Sequence, residues 1–302
     1  MKILITGAPG FIGSHVARLF VQQGHDVHVT LLDAETSRIR DILPRLNAIP
    51  CNIEQAAEVD ACLAAVRPEL CIHLAWYAVP GKYLNAPENF GSLNATLLLA
   101  QKLAALGCRR FVGIGSCFEY EHGSSVLSES SPAKPLSLYA ACKLSAALVL
   151  EQFAKLTPMQ IAWTRLFYQY GPDEAPQRLM PHIINSLLQG RRVELTPGEQ
   201  VRDFLHVEDV AAGIAAVAQS SLTGITNVAS GQPVTVRQIA EQIAAIAGRA
   251  DLLALGARPY APNDPMFILA DNSRLRQNTA WKPRYDLERG LRQTIEWWKA
   301  RQ

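Results

Sequence analysis

Apolar strand patterns that alternate with helical ones dictate most of what this chain can become. Lys2–Thr6 opens the series, and 26–32, 70–75, Arg110–Ser116 and Gln160–Leu166 continue it. Between them run helical patterns over 15–23, 54–66, 89–106 and 138–156. Gly24 and Gly107 end two of these; Ser137 offers an N-cap to the last, with Pro158 beyond its far end. A strand apolar on both faces has to be covered on both sides, and strands alternating with helices pair in parallel. Right-handed crossovers then predict an α/β fold with a doubly wound parallel sheet. Near residue 170 the rhythm breaks into prolines and longer loops, with further helices predicted at Val236–Ala247 and Leu287–Lys299.

The turn after the first strand carries the first functional signal. Gly7-Ala8-Pro9-Gly10-Phe11-Ile12-Gly13 links that strand to the first helix. Glycines there permit a tight turn and let backbone N–H groups approach a pyrophosphate at a helix N-terminus; a third lets helix and strand pack closely. The expectation is a dinucleotide-binding domain over 1–168 and a smaller, mainly substrate-binding region over 169–302, some of whose segments return to the first domain. An acid ending the second strand would hold the adenosine ribose and favour NAD. Here Asp33 stands slightly late, and Leu31 or Leu32 takes its place; Arg38 and Arg40 are near. NAD and NADP both stay open, with a lean toward NADP.

Tyr139 and Lys143 lie four apart at the start of a long helix, on one face. A lysine cation and the positive nicotinamide of an oxidised cofactor both favour phenolate, so the tyrosine is expected to titrate below its usual ~10 and act as acid or base. Ser116 ends a strand just before this helix. Carboxyl ends of parallel strands are where such folds bind ligands, and a hydroxyl there can bond the oxygen that Tyr139 protonates. These are the candidate catalytic residues.

At this point the chain resembles a known family. Gly7-x-x-Gly10-Phe11-Ile12-Gly13, His73-Leu74-Ala75, Ser116 with Tyr120, Tyr139-x-x-x-Lys143, Arg165 through Pro172, Val201 through Val210, Ala270 through Ser273 and Trp281-Lys282-Pro283 follow in order over nearly the whole length. They look like the extended short-chain dehydrogenase/reductases, the nucleotide-sugar epimerase/dehydratase family. The resemblance implies a Rossmann-type domain and a triad of Ser116, Tyr139 and Lys143. Gly7, Gly10 and Gly13, with Phe11 and Ile12, would contact the cofactor pyrophosphate. Asn52 and Ile53 would sit near adenine, and Leu74 and Ala75 beside the cofactor; Tyr139 and Lys143 would reach the nicotinamide side. Arg202 would meet the substrate pyrophosphate, unless it forms a structural ion pair with Asp203 or Asp209. Arg258 would stand in for an arginine that the family places just before Asp264 (here Ala261-Pro262-Asn263).

The departures bear on the reaction. Family 4,6-dehydratases carry Asp-Glu directly after the triad hydroxyl, whereas this chain carries Cys117-Phe118, which argues against dehydration. Cys117 is expected to point across the strand into the core, and Glu119 and Glu121 to be loop or surface charges. Tyr168 replaces an asparagine common in the family. Thr196 through Phe204 is similar to bacterial deoxysugar 4-ketoreductases. The leading expectation is therefore reduction of a 4-keto-6-deoxy nucleotide sugar. A 4-epimerase using the same triad is the alternative, and a non-catalytic dinucleotide sensor is a second.

Composition narrows the partners. Net charge is +2, and the pairs Arg109-Arg110 and Arg191-Arg192 form no basic stripe, which argues against nucleic acid. The 6 cysteines form no Cys-x-x-Cys pair, so no metal site is expected and a reducing, cytoplasmic setting fits. No window reaches the length of a membrane span. Leu93, Leu97, Leu98 and Leu150 on the two long helices suggest a homodimer, as the family commonly forms.

Overall fold

A computed structural model describes every residue except 33–35 and 263. In chain order its main elements are β1 (Lys2–Thr6), α1 (Phe11–Gln22), β2 (Asp26–Leu31), β3 (Asn47–Pro50), α2 (Ala56–Val66), β4 (Leu70–His73), α3 (Glu88–Ala105), β5 (Arg110–Ser116), α4 (Leu138–Phe153) and β6 (Gln160–Leu166). Then come β7 (Tyr168–Tyr170), α5 (Leu179–Leu188), β8 (Val193–Glu194), β9 (Val201–His206), α6 (Val207–Gln219), β10 (Gly224–Val228), β11 (Pro233–Thr235), α7 (Val236–Ala247), β12 (Leu253–Ala254), α8 (Ser273–Asn278) and α9 (Leu287–Lys299).

A 7-stranded sheet in the order β10-β6-β5-β4-β1-β2-β3 forms the centre, and every pairing in it is parallel. The Rossmann-type architecture read from the alternation is the one observed. Strand order reverses between β1 and β4, which opens a crevice at their carboxyl ends. Alternate residues of β1 feed opposite layers. Ile3 and Ile5 pack with α1 and α6 residues such as Phe20 and Ile214. Leu4 packs on the other face with Leu63, Leu99 and Leu150.

The second half contributes to both regions. β10 extends the main sheet beside β6, and α6 packs on α1 through the first core. The smaller region holds the sheet β11-β9-β7 and a core of α5, α7 and α9 side chains, among them Ile183, Ile239 and Leu291.

Boundaries differ from the sequence reading for identifiable reasons. α1 starts at Phe11 rather than at 15, because Gly10 is an extended N-cap and Gly13, which looks like a helix breaker, packs against Gly7. α4 passes into a 3₁₀ turn at Ala154–Leu156. β3 was missed: it is a mostly exposed edge strand without an apolar run. Three of the four leucines proposed for a dimer face inward, and Leu98 is half-buried. Leu150 is buried, and Leu93 and Leu97 pack on the core. Phe90, Leu148 and Val149 are the exposed ones on those helices.

Candidate active site

The glycine turn is built to lie flat against β4. Gly7 has φ +72°, and a Cβ on it would fall 2.6 Å from the Ala75 nitrogen. A Cβ on Gly13 would fall 2.0 Å from the Gly7 oxygen, and one on Gly10 3.1 Å from the same atom. Thr6 closes the junction, its hydroxyl accepting from the Ala75 N–H at 3.2 Å. Leu74 and Ala75 thus adjoin the turn. No side chain caps α1 and no acid occupies its first turn, so its leading N–H groups and the positive end of its dipole are free for an anion. Phe11 and Ile12 open that helix half-buried. This cradle fits a dinucleotide pyrophosphate.

Asn52 and Ile53 follow β3 at the same edge. Asn52 is held by Glu58, whose carboxylate accepts its N–H at 2.7 Å, and Ile53 packs on the core. Asp33 lies outside the described residues. Arg38, a candidate for a 2′-phosphate, is engaged elsewhere, at 3.4 Å from the Asp173 carboxylate and donating to the Asp173 carbonyl at 3.2 Å. Arg18 forms a two-pronged pair with Asp41. These engagements weaken the physical case for NADP.

Ser116, Tyr139 and Lys143 come together at the carboxyl end of β5. The Ser116 hydroxyl lies close enough to the Tyr139 phenol to favour its phenolate and accepts the Phe118 N–H at 3.2 Å. Ser137 caps α4 by accepting the Ala140 N–H at 3.2 Å, which fixes where Tyr139 emerges. The Tyr83 ring stands edge-on to Tyr139 at 4.8 Å and the Trp76 ring at 6.2 Å. Lys143 is buried, donates to the Ile114 carbonyl at 2.6 Å and sits 3.7 Å from the centre of the Trp76 ring. Burial pulls it down to about 7, with the Glu119 charge opposing.

Tyr139 departs from the expectation. Burial, then Tyr83 and Glu119, push its phenol above the ordinary value, and the nearby Ser116 hydroxyl only partly offsets this. Lys143 does not bring it down, because its ammonium is directed at Ile114 and lies 5.8 Å from the Tyr139 ring centre.

Glu119 corrects the sequence reading outright. It is fully buried, not a loop charge. Its carboxylate accepts from the Ser116 N–H at 2.8 Å, the Trp163 indole at 3.1 Å and the Arg165 Nε at 2.7 Å. The signal was present: Ser116-x-x-Glu119 has capping-box spacing, and the box forms around a one-turn 3₁₀ helix. Glu121 is the surface charge, paired with Lys134. Cys117 is buried as expected, but not across the sheet. β5 ends at Ser116, and the turn directs the thiol alongside the Ser116 hydroxyl, where burial pushes it up to about 12.

Arg202 is buried and pairs with Asp264 at 2.8 Å while lying over the Tyr168 ring at 5.4 Å. The anticipated partners are occupied otherwise. Asp203 accepts from Ser230, Gly231 and Ala270, and Asp209 from the Arg284 and Tyr285 N–H groups. Arg258 is largely exposed and reaches Glu194 at 3.9 Å; it does not join the group around Tyr139. Sequence reasoning missed the aromatic wall that Trp76 and Tyr83 raise beside Tyr139, because rings at scattered positions carry no spacing signal.

Among the described residues, no group of three or more His, Cys, Asp or Glu side chains is placed to hold a metal. No helix there is long and apolar enough to cross a membrane.

Known proteins match this arrangement along the chain. The family model described as "NAD dependent epimerase/dehydratase family" matches residues 3–229. A dTDP-glucose 4,6-dehydratase of Streptomyces griseus is 30% identical, covering 98% of this chain and 93% of that protein. The structure is similar to a UDP-glucose 4-epimerase of Thermotoga maritima solved with UDP-glucose, with TM-score 0.91 and 25% identity over 100% of this chain and 99% of that one. It is also similar to the protein MoeE5, solved with UDP-glucuronic acid and NAD, with TM-score 0.84 and 27% identity over 100% of both chains. The dinucleotide in that relative is NAD, as in the family's description, and the lean toward NADP finds no support. The match over most of the chain, laid on the glycine cradle and the Ser-Tyr-Lys group, identifies this protein as a member of the NAD-dependent epimerase/dehydratase family.

Proposed function

We propose that this protein uses NAD to reduce the C4 carbonyl of a nucleotide-linked 4-keto-6-deoxy sugar. One observation carries the reading: the Tyr139 phenol stands beside Ser116, edge-on to the rings of Tyr83 and Trp76, where burial raises it above its ordinary value. A ketone reduction needs a proton donor at the oxygen, and a reduced nicotinamide is neutral, so it would leave the phenol protonated. The edges of these two rings present apolar surface beside the phenol, against which a C6 methyl would pack.

The chain's own residues divide the work as follows. The glycine cradle and the α1 N-terminus hold the pyrophosphate of the dinucleotide, which supplies the hydride when bound. Ser116 donates a hydrogen bond to the sugar oxygen and Tyr139 passes its proton to it. Lys143, one helical turn beyond Tyr139, places its amino group on the nicotinamide side, 5.8 Å from the Tyr139 ring centre. Arg202, beside Tyr168, meets the nucleotide pyrophosphate. The two positions after Ser116 hold a thiol and a phenyl ring, so no carboxylate stands there for the proton removal that dehydration needs.

A 4-epimerase is the second reading, favoured by the likeness to the Thermotoga maritima enzyme. The test is cofactor turnover with UDP-, GDP-, CDP- and dTDP-sugars and their 4-keto forms. One reduced NAD consumed per sugar supports the reductase. Interconversion of two sugars with none consumed rejects it in favour of the epimerase.

A further inference from the structure

We infer that Glu119 is a positioning residue for this chemistry: it fixes Ser116 through its backbone N–H and supplies the negative charge that keeps Lys143 an ammonium beside Tyr139. The inference rests on the catalytic assignment above. A fully buried carboxylate is costly, and an apolar residue of similar volume would serve packing as well or better. Here it is built in. β5 carries glycine at 113 and 115; a Cβ on Gly113 would fall 2.5 Å from the Trp163 ring, and one on Gly115 2.5 Å from Glu119 Oε1 and 2.2 Å from Trp163 Nε1. The strand therefore leaves out two side chains to admit this carboxylate and its indole.

The array points at the catalytic group from one side. Oε1 accepts the Ser116 N–H at 2.8 Å and Oε2 takes Arg165 at 2.7 Å. Trp163 spans the gap, donating to Glu119 at 3.1 Å while its ring centre lies 5.7 Å from Lys143 Nζ. The other titratable neighbours supply no countercharge. His73, on β4, is held neutral at about 3 by burial and then by Lys143. Tyr139 and Cys117 are both pushed up and stay protonated; the Tyr83 ring also faces Tyr139. Glu119 is the carboxylate whose charge acts on Lys143.

Two substitutions separate the roles. Glu119→Gln keeps an acceptor for Ser116 but removes the charge; Glu119→Asp keeps the charge but withdraws it from Ser116. The Lys143 titration is followed by NMR in full-length protein carrying 13Cε-lysine, with the resonance assigned by Lys143→Arg. This readout needs no sugar. The wild-type midpoint is expected at about 7. Glu119→Gln should lower it by about one pH unit and move the kcat/KM profile with it, which a purely structural role would not do. Glu119→Asp should titrate as wild type while kcat falls at least about tenfold at every pH, since Ser116 is no longer held. An unmoved midpoint in Glu119→Gln overturns the inference. If that variant does not fold, wild-type kcat in Glu119→Asp overturns it instead. Midpoints that move as expected, with no nucleotide sugar turned over by any variant, support the electrostatic role and sink the functional reading.

Discussion

Replacing Lys143 with methionine should abolish turnover and at the same time stabilise the fold. Burial brings this lysine from 10.5 to about 7. Below its folded value the lysine carries a proton that the folded state disfavours, so the penalty is full at and below pH 7. It fades as pH rises toward the unfolded value, because the folded lysine then loses its proton too. At pH 7 the penalty is about 4 kcal/mol. Methionine fits the buried stem but leaves the Ile114 carbonyl without the bond Lys143 gives it, which takes back about 1–2 kcal/mol. The net gain of about 2 kcal/mol should raise the melting midpoint by about 3 °C near neutral pH, and the gain should shrink toward pH 10. Thermal unfolding of both proteins from pH 6 to pH 10 reads this directly. A Lys143→Met protein that melts below wild type at pH 7, or an advantage that grows with pH, refutes the reasoning.

Other outcomes follow from the same geometry. Gly13→Ala drives a methyl to 2.0 Å from the Gly7 oxygen, so NAD affinity by calorimetry should fall at least about tenfold, with about 1–3 kcal/mol lost in stability; unchanged affinity removes the cradle assignment. His73 is held neutral between the Thr6 and Thr96 hydroxyls at 2.7 and 2.8 Å, and its folded value is about 3 against 6.5. The unfolded chain takes up that proton first as pH falls below 6.5, so from pH 7 to pH 5 wild type should lose about 2 kcal/mol more than His73→Gln in urea unfolding; equal losses contradict this. Phe90, Leu148 and Val149 are 57%, 53% and 48% exposed on adjoining helices, and a second copy is expected to cover them. Light scattering should give twice 33.1 kDa, and Phe90→Asp with Leu148→Glu should give the monomer; a monomeric wild type rejects the interface.

The sheet was legible because each central strand is buried on both faces, so its residues read as unbroken apolar runs; β5 and β6 fall where the sequence placed them. β3 was not, since an edge strand needs no such run, nor was β10, which pairs with β6 across a long separation. In the site, the cradle and the Tyr139–Lys143 spacing were visible because local geometry sets them. Glu119 was misjudged because what makes it internal, Trp163 and Arg165 on a neighbouring strand, lies far along the chain. Alternation also misplaced Cys117, since it holds only while the strand continues. The tuning of Tyr139 depended on Tyr83, which reaches it from the β4–α3 loop, where no pattern announces it.

The most direct trial of the central claim compares wild type with Tyr139→Phe under saturating reduced NAD and a panel of 4-keto nucleotide sugars, following nicotinamide absorbance. The account predicts one NADH oxidised per sugar reduced in wild type. The phenylalanine protein should bind the dinucleotide normally and turn over at least about a hundredfold more slowly. Undiminished turnover without the phenol would contradict it.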